Sequence, residues 1–124
     1  MMILNNIIYV AIGGACGASL RYIIQYYLNN FLSNNIYSTS IINIIGSILG
    51  AVLFIIFTKY MVENKYKIFI MTGILGGFTT HYKMIEDIHT LIKNNEIITL
   101  SIYLILSLIL PIIIFSIINL IYLK

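Results

Sequence analysis

From Tyr22 to Thr58 the chain carries no Asp, Glu, Lys or Arg, and further charge-free runs lie between Lys67 and Lys83 and between Glu96 and Lys124. A helix that crosses a bilayer needs about 20 predominantly apolar residues. The composition is 60% hydrophobic and 9% charged over 124 residues, with mean hydropathy +1.01. No soluble domain of this length hides that much apolar surface. The whole chain, 1–124, therefore reads as one all-α membrane domain with four transmembrane helices, at about 4–28, 41–58, 68–91 and 97–123. The joining segments, Asn29–Ser40, Lys59–Lys67 and Lys93–Glu96, are short and leave no soluble domain or linker. No internal repeat is visible.

The first apolar stretch lacks the basic start of a signal peptide, runs past its usual length and contains Arg21. It reads as a retained span. Cys16, the only cysteine, excludes an intrachain disulfide and reads as a small packing residue. The net charge of +3 is scattered, with no basic stripe for nucleic acid. Lys59, Lys65, Lys67 and Lys124 fall on one side of the membrane, and Lys93, Lys83 and Arg21 on or toward the other. That is a mild bias under the positive-inside rule, and it suits insertion in both orientations.

The third span is interrupted at its centre by Gly73-Ile-Leu-Gly-Gly-Phe-Thr-Thr80, with the break placed at 76–80. Backbone that leaves the helix inside a bilayer exposes N–H and C=O groups. Such backbone is tolerated only where protein or a water-filled path surrounds it. It is also how transport proteins present carbonyls to cations and amides to anions. The break therefore points to ion handling.

Each of the other spans carries one polar or small face. Gly13, Gly17 and Arg21 are spaced by four on the first. The glycines permit close helix packing, and the arginine either snorkels to the interface or makes an electropositive vestibule. Asn43, Gly46, Ser47 and Gly50 share a face of the second, where Asn43 serves as interhelical glue or as an anion donor in a pore. Tyr103 and Ser107 precede Pro111 at four-residue spacing on the fourth, where the proline kinks the helix. Helices of this kind surround a narrow path. His81 and His89, eight apart, do not make a metal site, and no nucleophile–base set, phosphate loop or cofactor fingerprint is present, so an enzyme is not expected. A proton-coupled small exporter would use Glu86 or Asp87 as a carboxylate titrating within the membrane.

The segments Gly13-Gly-Ala-Cys-Gly-Ala-Ser-Leu-Arg21-Tyr22, Thr39 with Asn43-Ile-Ile-Gly-Ser-Ile-Leu-Gly50, Gly73–Thr80, and Tyr103 with Ser107 together resemble the CrcB/Fluc family of fluoride channels, in order and spacing, over essentially the whole chain. The resemblance implies a four-span subunit of the inner (plasma) membrane that dimerises antiparallel in dual topology. It implies two fluoride pores and passive efflux of cytoplasmic fluoride. It also implies a structural, untransported Na+ at the dimer centre, held by the backbone carbonyls of Gly76 and Thr79. Asn43 would line the pore, Arg21 would lie near its vestibule, and Thr39, Tyr103 and Ser107 would contribute to the anion path.

One strip departs from the family. The resemblance calls for Thr-Thr-Phe-Ser-Thr-Phe at the break, and His81, Tyr82, Lys83 and Met84 stand where the pore phenylalanines and hydroxyls belong. The later acid is matched by Asp87, the proline and glycine before Thr39 are absent, and Pro111 replaces a glycine. Three readings follow. The subunit pairs with a paralogue as a non-conducting or partner-dependent half of a heterodimer, conducts through a modified lining with His81, Tyr82 and Met84, or has drifted in an AT-rich genome. Lys83 reads as snorkelling to the interface.

Overall fold

The computed structural model describes residues 1–33 and 35–122, and the expectations on Leu123 and Lys124 lie outside the described residues. The described residues are mostly helical: α1 (Met2–Phe31), α2 (Ile36–Lys59), α3 (Asn64–Lys67), a π-helical stretch (Ile68–Leu75), α4 (Gly76–Phe78), α5 (His81–Lys93), α6 (Ile97–Leu104), a second π-helical stretch (Ile105–Ile109) and α7 (Leu110–Tyr122). Isoleucine is a modest helix former in water. In hydrocarbon every backbone group must be satisfied within its own segment, so apolar Ile-rich runs become helices regardless.

Three helices among the described residues are long and apolar enough to cross a membrane: Ile3–Phe31, Ile36–Lys59 and Ile97–Tyr122. The first two exceed the apolar stretches that announce them. Helical hydrogen bonding continues into the flanking polar residues, as in Leu32 N–H donating to Leu28 O at 2.8 Å. The third expected span is divided, and the break is narrower than 76–80. Gly76–Phe78 remains helical, and only Thr79 (ψ 148°) and Thr80 (ψ 105°) are extended. Two glycines tolerate a helix when it is packed on a neighbour, and here that neighbour is α1.

The packing against α1 explains the glycines. A Cβ on Gly13 would collide with Phe69 O, and one on Gly17 with Ile74 O. From the other side, a Cβ on Gly73 would lie 2.9 Å from Gly13 Cα and one on Gly77 2.5 Å from Gly14 O. Two pairs of glycines four apart thus face each other and bring the backbones into contact. The rest of the bundle assembles around α2, which packs on α7, while α5 packs on α6 and α2.

The interior is more polar than a soluble core. Ser38, Thr39, Ser40, Thr80, Asp87 and Ser107 are buried alongside Ile42, Leu75, Phe78, Met84, Leu91 and Tyr103. Large apolar side chains such as Leu4, Ile98 and Ile121 are exposed instead. That inversion is what a bilayer permits. Lipid covers the outer faces, and hydrogen bonding between helices holds the inner ones.

The fourth span does not simply kink at Pro111. It widens into the π-helical turn Ile105–Ile109 just before it. Pro111 supplies no N–H to Ser107 O and its ring crowds that carbonyl. A wider turn relieves both.

Candidate functional site

The two extended residues redirect the hydrogen bonds of the break. Thr80 N–H donates to Asn43 Oδ1 at 3.2 Å. Lys83 N–H donates to Thr80 Oγ1 at 3.4 Å, which caps α5. In an uninterrupted helix those two amides would bond to the carbonyls of Gly76 and Thr79, four residues earlier. The break therefore takes these two carbonyls, among the four of residues 76–79, out of the helical ladder. Gly76 and Thr79 are both exposed, whereas Leu75, Phe78 and Thr80 between and beside them are buried. Backbone carbonyls at exposed residues are oxygen acceptors of the kind that suits a hard cation.

Asn43 joins α2 to the break. Its amide oxygen is committed to Thr80 N–H, so its two N–H donors remain for the space beside it. That space is a cleft of about 240 Å³ lined by Asn43 and Ser47 of α2, Thr79 and Thr80, His81 and Met84 of α5, and Ser107, Leu108, Pro111 and Ile112 of the fourth span. A second cavity of about 250 Å³ adjoins it along Ser47, Pro111, Ile112, Phe115 and Ser116. The cleft is walled by apolar groups and carries amide and hydroxyl donors but no carboxylate. It suits an anion better than a cation.

A polar network adjoins the cleft. Ser107 Oγ and Ser40 Oγ are 2.6 Å apart. One residue back on α2, Thr39 Oγ1 donates to Asp87 Oδ2 at 2.9 Å, and Tyr103 OH donates to the same oxygen at 3.0 Å. The other carboxylate oxygen, Oδ1, lies 2.9 Å from Lys83 Nζ, which also reaches Glu86 Oε2 at 3.0 Å. Asp87 is 4% exposed. The Lys83 side chain is 39% exposed, so the network runs from the cleft wall to the surface of α5. Asp87 owes its place to helix geometry: Met84, Asp87 and Leu91 share the buried face of α5 at three- and four-residue spacing.

The residues singled out in the sequence thus separate into groups. Asn43, Ser47, His81, Met84 and Ser107 converge on the cleft. Thr39 and Tyr103 do not line it; they are wholly buried and bound to Asp87. Tyr82 is 78% exposed and outside the cleft lining. Arg21 is half-buried on α1 and outside the cleft lining. Lys83 is engaged in two ion pairs rather than extended alone to the interface. Among the packing residues, Gly46 lies under the break, where a Cβ would sit 2.5 Å from Thr79 Cγ2, while Gly50 has ordinary room. Sequence reasoning passed over Ser40 and the Lys83–Asp87 pair. The signals were present: Ser40 shares a face with Asn43, and Lys83 precedes Asp87 by four residues.

Known proteins carry the same arrangement of sequence. The sequence model of the family described as "CrcB-like protein, Camphor Resistance (CrcB)" matches residues 8–118. The chain belongs to this family. Relatives include the "Fluoride-specific ion channel FluC" of Roseiflexus sp. (strain RS-1), 34% identical over 104 residues that cover 82% of this chain and 84% of that protein. A protein of the same name from Shewanella amazonensis is 32% identical over 108 residues, covering 86% and 87%. Another from Flavobacterium psychrophilum is 31% identical over 106 residues, covering 84% and 86%. The CrcB-like match takes in the cleft, the break and the network around Asp87 together.

Proposed function

We propose that this CrcB-like chain is a subunit of a fluoride-specific channel that lets fluoride leave the cytoplasm passively across the plasma membrane. The observation that carries the reading is the orientation of Asn43. Its oxygen is held by Thr80 N–H, so the amide presents donors to the cleft. Fluoride is small and strongly hydrated, and a path for it must replace water with N–H and O–H donors while holding it weakly enough to release. Asn43, Ser47 and Ser107 supply such donors, and His81 adds an imidazole at the mouth. Met84 and Pro111 keep the walls apolar. The names of the relatives support fluoride as the permeant ion.

The cleft is open on one side of a single subunit, and the glycine-rich break presents an exposed face. Both features support a partner subunit, and the mild charge bias between the loops supports copies inserted in both orientations. The donors at that face fit a sodium ion: Gly76 and Thr79 offer carbonyl oxygens freed from helical hydrogen bonding, with no thiol or imidazole between them. A bound sodium would supply a fixed positive charge between the subunits. Within each subunit the bond from Thr80 N–H to Asn43 Oδ1 holds the break against α2. Tyr82, exposed and outside the cleft, favours one second reading, in which the neighbouring subunit is a paralogue and that ring completes its pore.

The test is fluoride efflux from liposomes that contain only the purified chain, followed with a fluoride electrode, with chloride efflux measured alongside. Fluoride efflux without chloride efflux supports a self-sufficient channel. Absence of flux that returns on adding a paralogous subunit supports the heterodimer. Absence of flux under both conditions contradicts the proposal.

A further inference from the structure

The least expected group around the polar interior is Lys83, at its edge on α5. It stands one helical turn before Asp87, on the same helix, and binds the carboxylate oxygen that Thr39 and Tyr103 leave free. We infer that Lys83 is a positioning residue for conduction: it clamps and neutralises the buried Asp87 carboxylate, so that this charge does not repel an anion in the adjoining cleft. The inference rests on the fluoride-channel reading and adds a role that no part of that reading assigns.

The electrostatics require some such partner. Asp87 is almost wholly buried. A buried carboxylate is costly unless paired, and a lone one beside an anion path repels the permeating ion. The surroundings offer little else. From α2 the carboxylate receives only the Thr39 hydroxyl, and from α6 only the Tyr103 phenol. On its own helix it faces Lys83, and Glu86 adds a second negative charge on the other side of the same ammonium. Lys83 is thus the single cation in contact with two acids among the described residues. Its three N–H donors suffice for both. The bond from Lys83 to Oδ1 also fixes the carboxylate's rotation, which keeps Oδ2 aimed at Thr39 and Tyr103.

Removing the ammonium changes both charge and orientation. With Lys83→Met, Asp87 is left buried and unpaired, and it conducts only when protonated. Flux should then fall by roughly tenfold or more at neutral pH, the scale set by like charges close together at an effective dielectric of about 20. It should recover as pH falls and the carboxyl takes up a proton. Wild-type flux should stay flat over the same range. Lys83→Arg keeps the charge and should conduct without the new pH dependence. Lys83→Met combined with Asp87→Asn removes both charges and should restore flux without pH dependence.

The decisive experiment measures these four proteins in liposomes from mildly alkaline to mildly acidic pH, with protein-free liposomes as the leak control. Infrared difference spectra of the same samples follow the protonated-carboxyl C=O band. Lys83→Met should show this band grow as pH falls, in step with the recovery of flux, and Asp87→Asn should abolish it. The band is read whether or not the wild-type chain conducts, so failure of the channel reading (no wild-type flux) is distinct from failure of this inference. A Lys83→Met protein with wild-type flux, flat in pH, overturns it. So does the absence of an Asp87-dependent carboxyl band. Should Lys83→Met not assemble, the double variant still decides where wild type conducts: a dead, folded double variant overturns the inference, and one that assembles and conducts where Lys83→Met does not upholds it.

Discussion

Asn43→Asp isolates the electrostatic part of the pore from its architecture. The oxygen that accepts Thr80 N–H at 3.2 Å is retained in aspartate, so the contact between α2 and the break survives. What changes is the other half of the side chain. Two N–H donors become a carboxylate oxygen, and a full negative charge enters the cleft. A sphere of the cleft's volume, about 240 Å³, has a radius of roughly 4 Å, so an anion inside it lies roughly 4–8 Å from residue 43. At an effective dielectric of about 20 the repulsion is then about 2–4 kcal/mol. Since 1.4 kcal/mol corresponds to about a factor of ten, flux should fall by roughly 30- to 1,000-fold. The assay is fluoride efflux from liposomes, with helical content and elution volume checked in the same preparation. Asn43→Leu is the contrast: it loses both the donors and the contact to Thr80, and should also destabilise the break. Folded Asn43→Asp protein with near-wild-type flux would refute the assignment of Asn43 to the anion path.

Three more outcomes are expected. Gly17→Ala forces a Cβ into Ile74 O and should cost about 1–3 kcal/mol, whereas Gly14→Ala meets nothing within 4 Å in the subunit and should be neutral or slightly stabilising; thermal denaturation in detergent distinguishes them. Pro111→Ala returns an N–H to Ser107 O, so the Ile105–Ile109 turn should tighten toward an α-helix and rotate Ser107 and Tyr103 off Ser40 and Asp87. Losing one such buried contact is worth about 1 kcal/mol, and flux should drop several-fold. A single cysteine at the exposed Met61, in a Cys16→Ser background, should be labelled from both faces of intact membranes; labelling from one face only would contradict dual topology.

The sequence announces the helices because long uncharged runs have no other stable form in a bilayer. It also marks where the third span breaks, since paired glycines and paired threonines are unusual at such a depth. It does not fix the break's extent. Gly76 and Gly77 look like helix breakers in isolation, yet the α1 glycine seam supports them as helix, and only Thr79 and Thr80 depart. Asn43 stands out in a charge-free span by chemistry alone. Thr39, Tyr103 and Asp87 are different: each is visible as a polar residue, but their meeting depends on how α2, α5 and α6 pack, which spacing within one helix does not encode. The π-helical turn before Pro111 was not legible either. A proline predicts disturbance, and the neighbouring helices decide whether the disturbance is a kink or a widening.

The central claim is passive conduction of fluoride, and a planar bilayer tests it most directly. The reversal potential is measured under a fluoride gradient, first with equal pH on both sides and then with a pH gradient imposed. A fluoride channel gives a reversal potential that follows the fluoride gradient and ignores the pH gradient. A reversal potential that moves with the pH gradient would contradict passive conduction and point instead to proton-coupled export through the Glu86–Asp87 carboxylates.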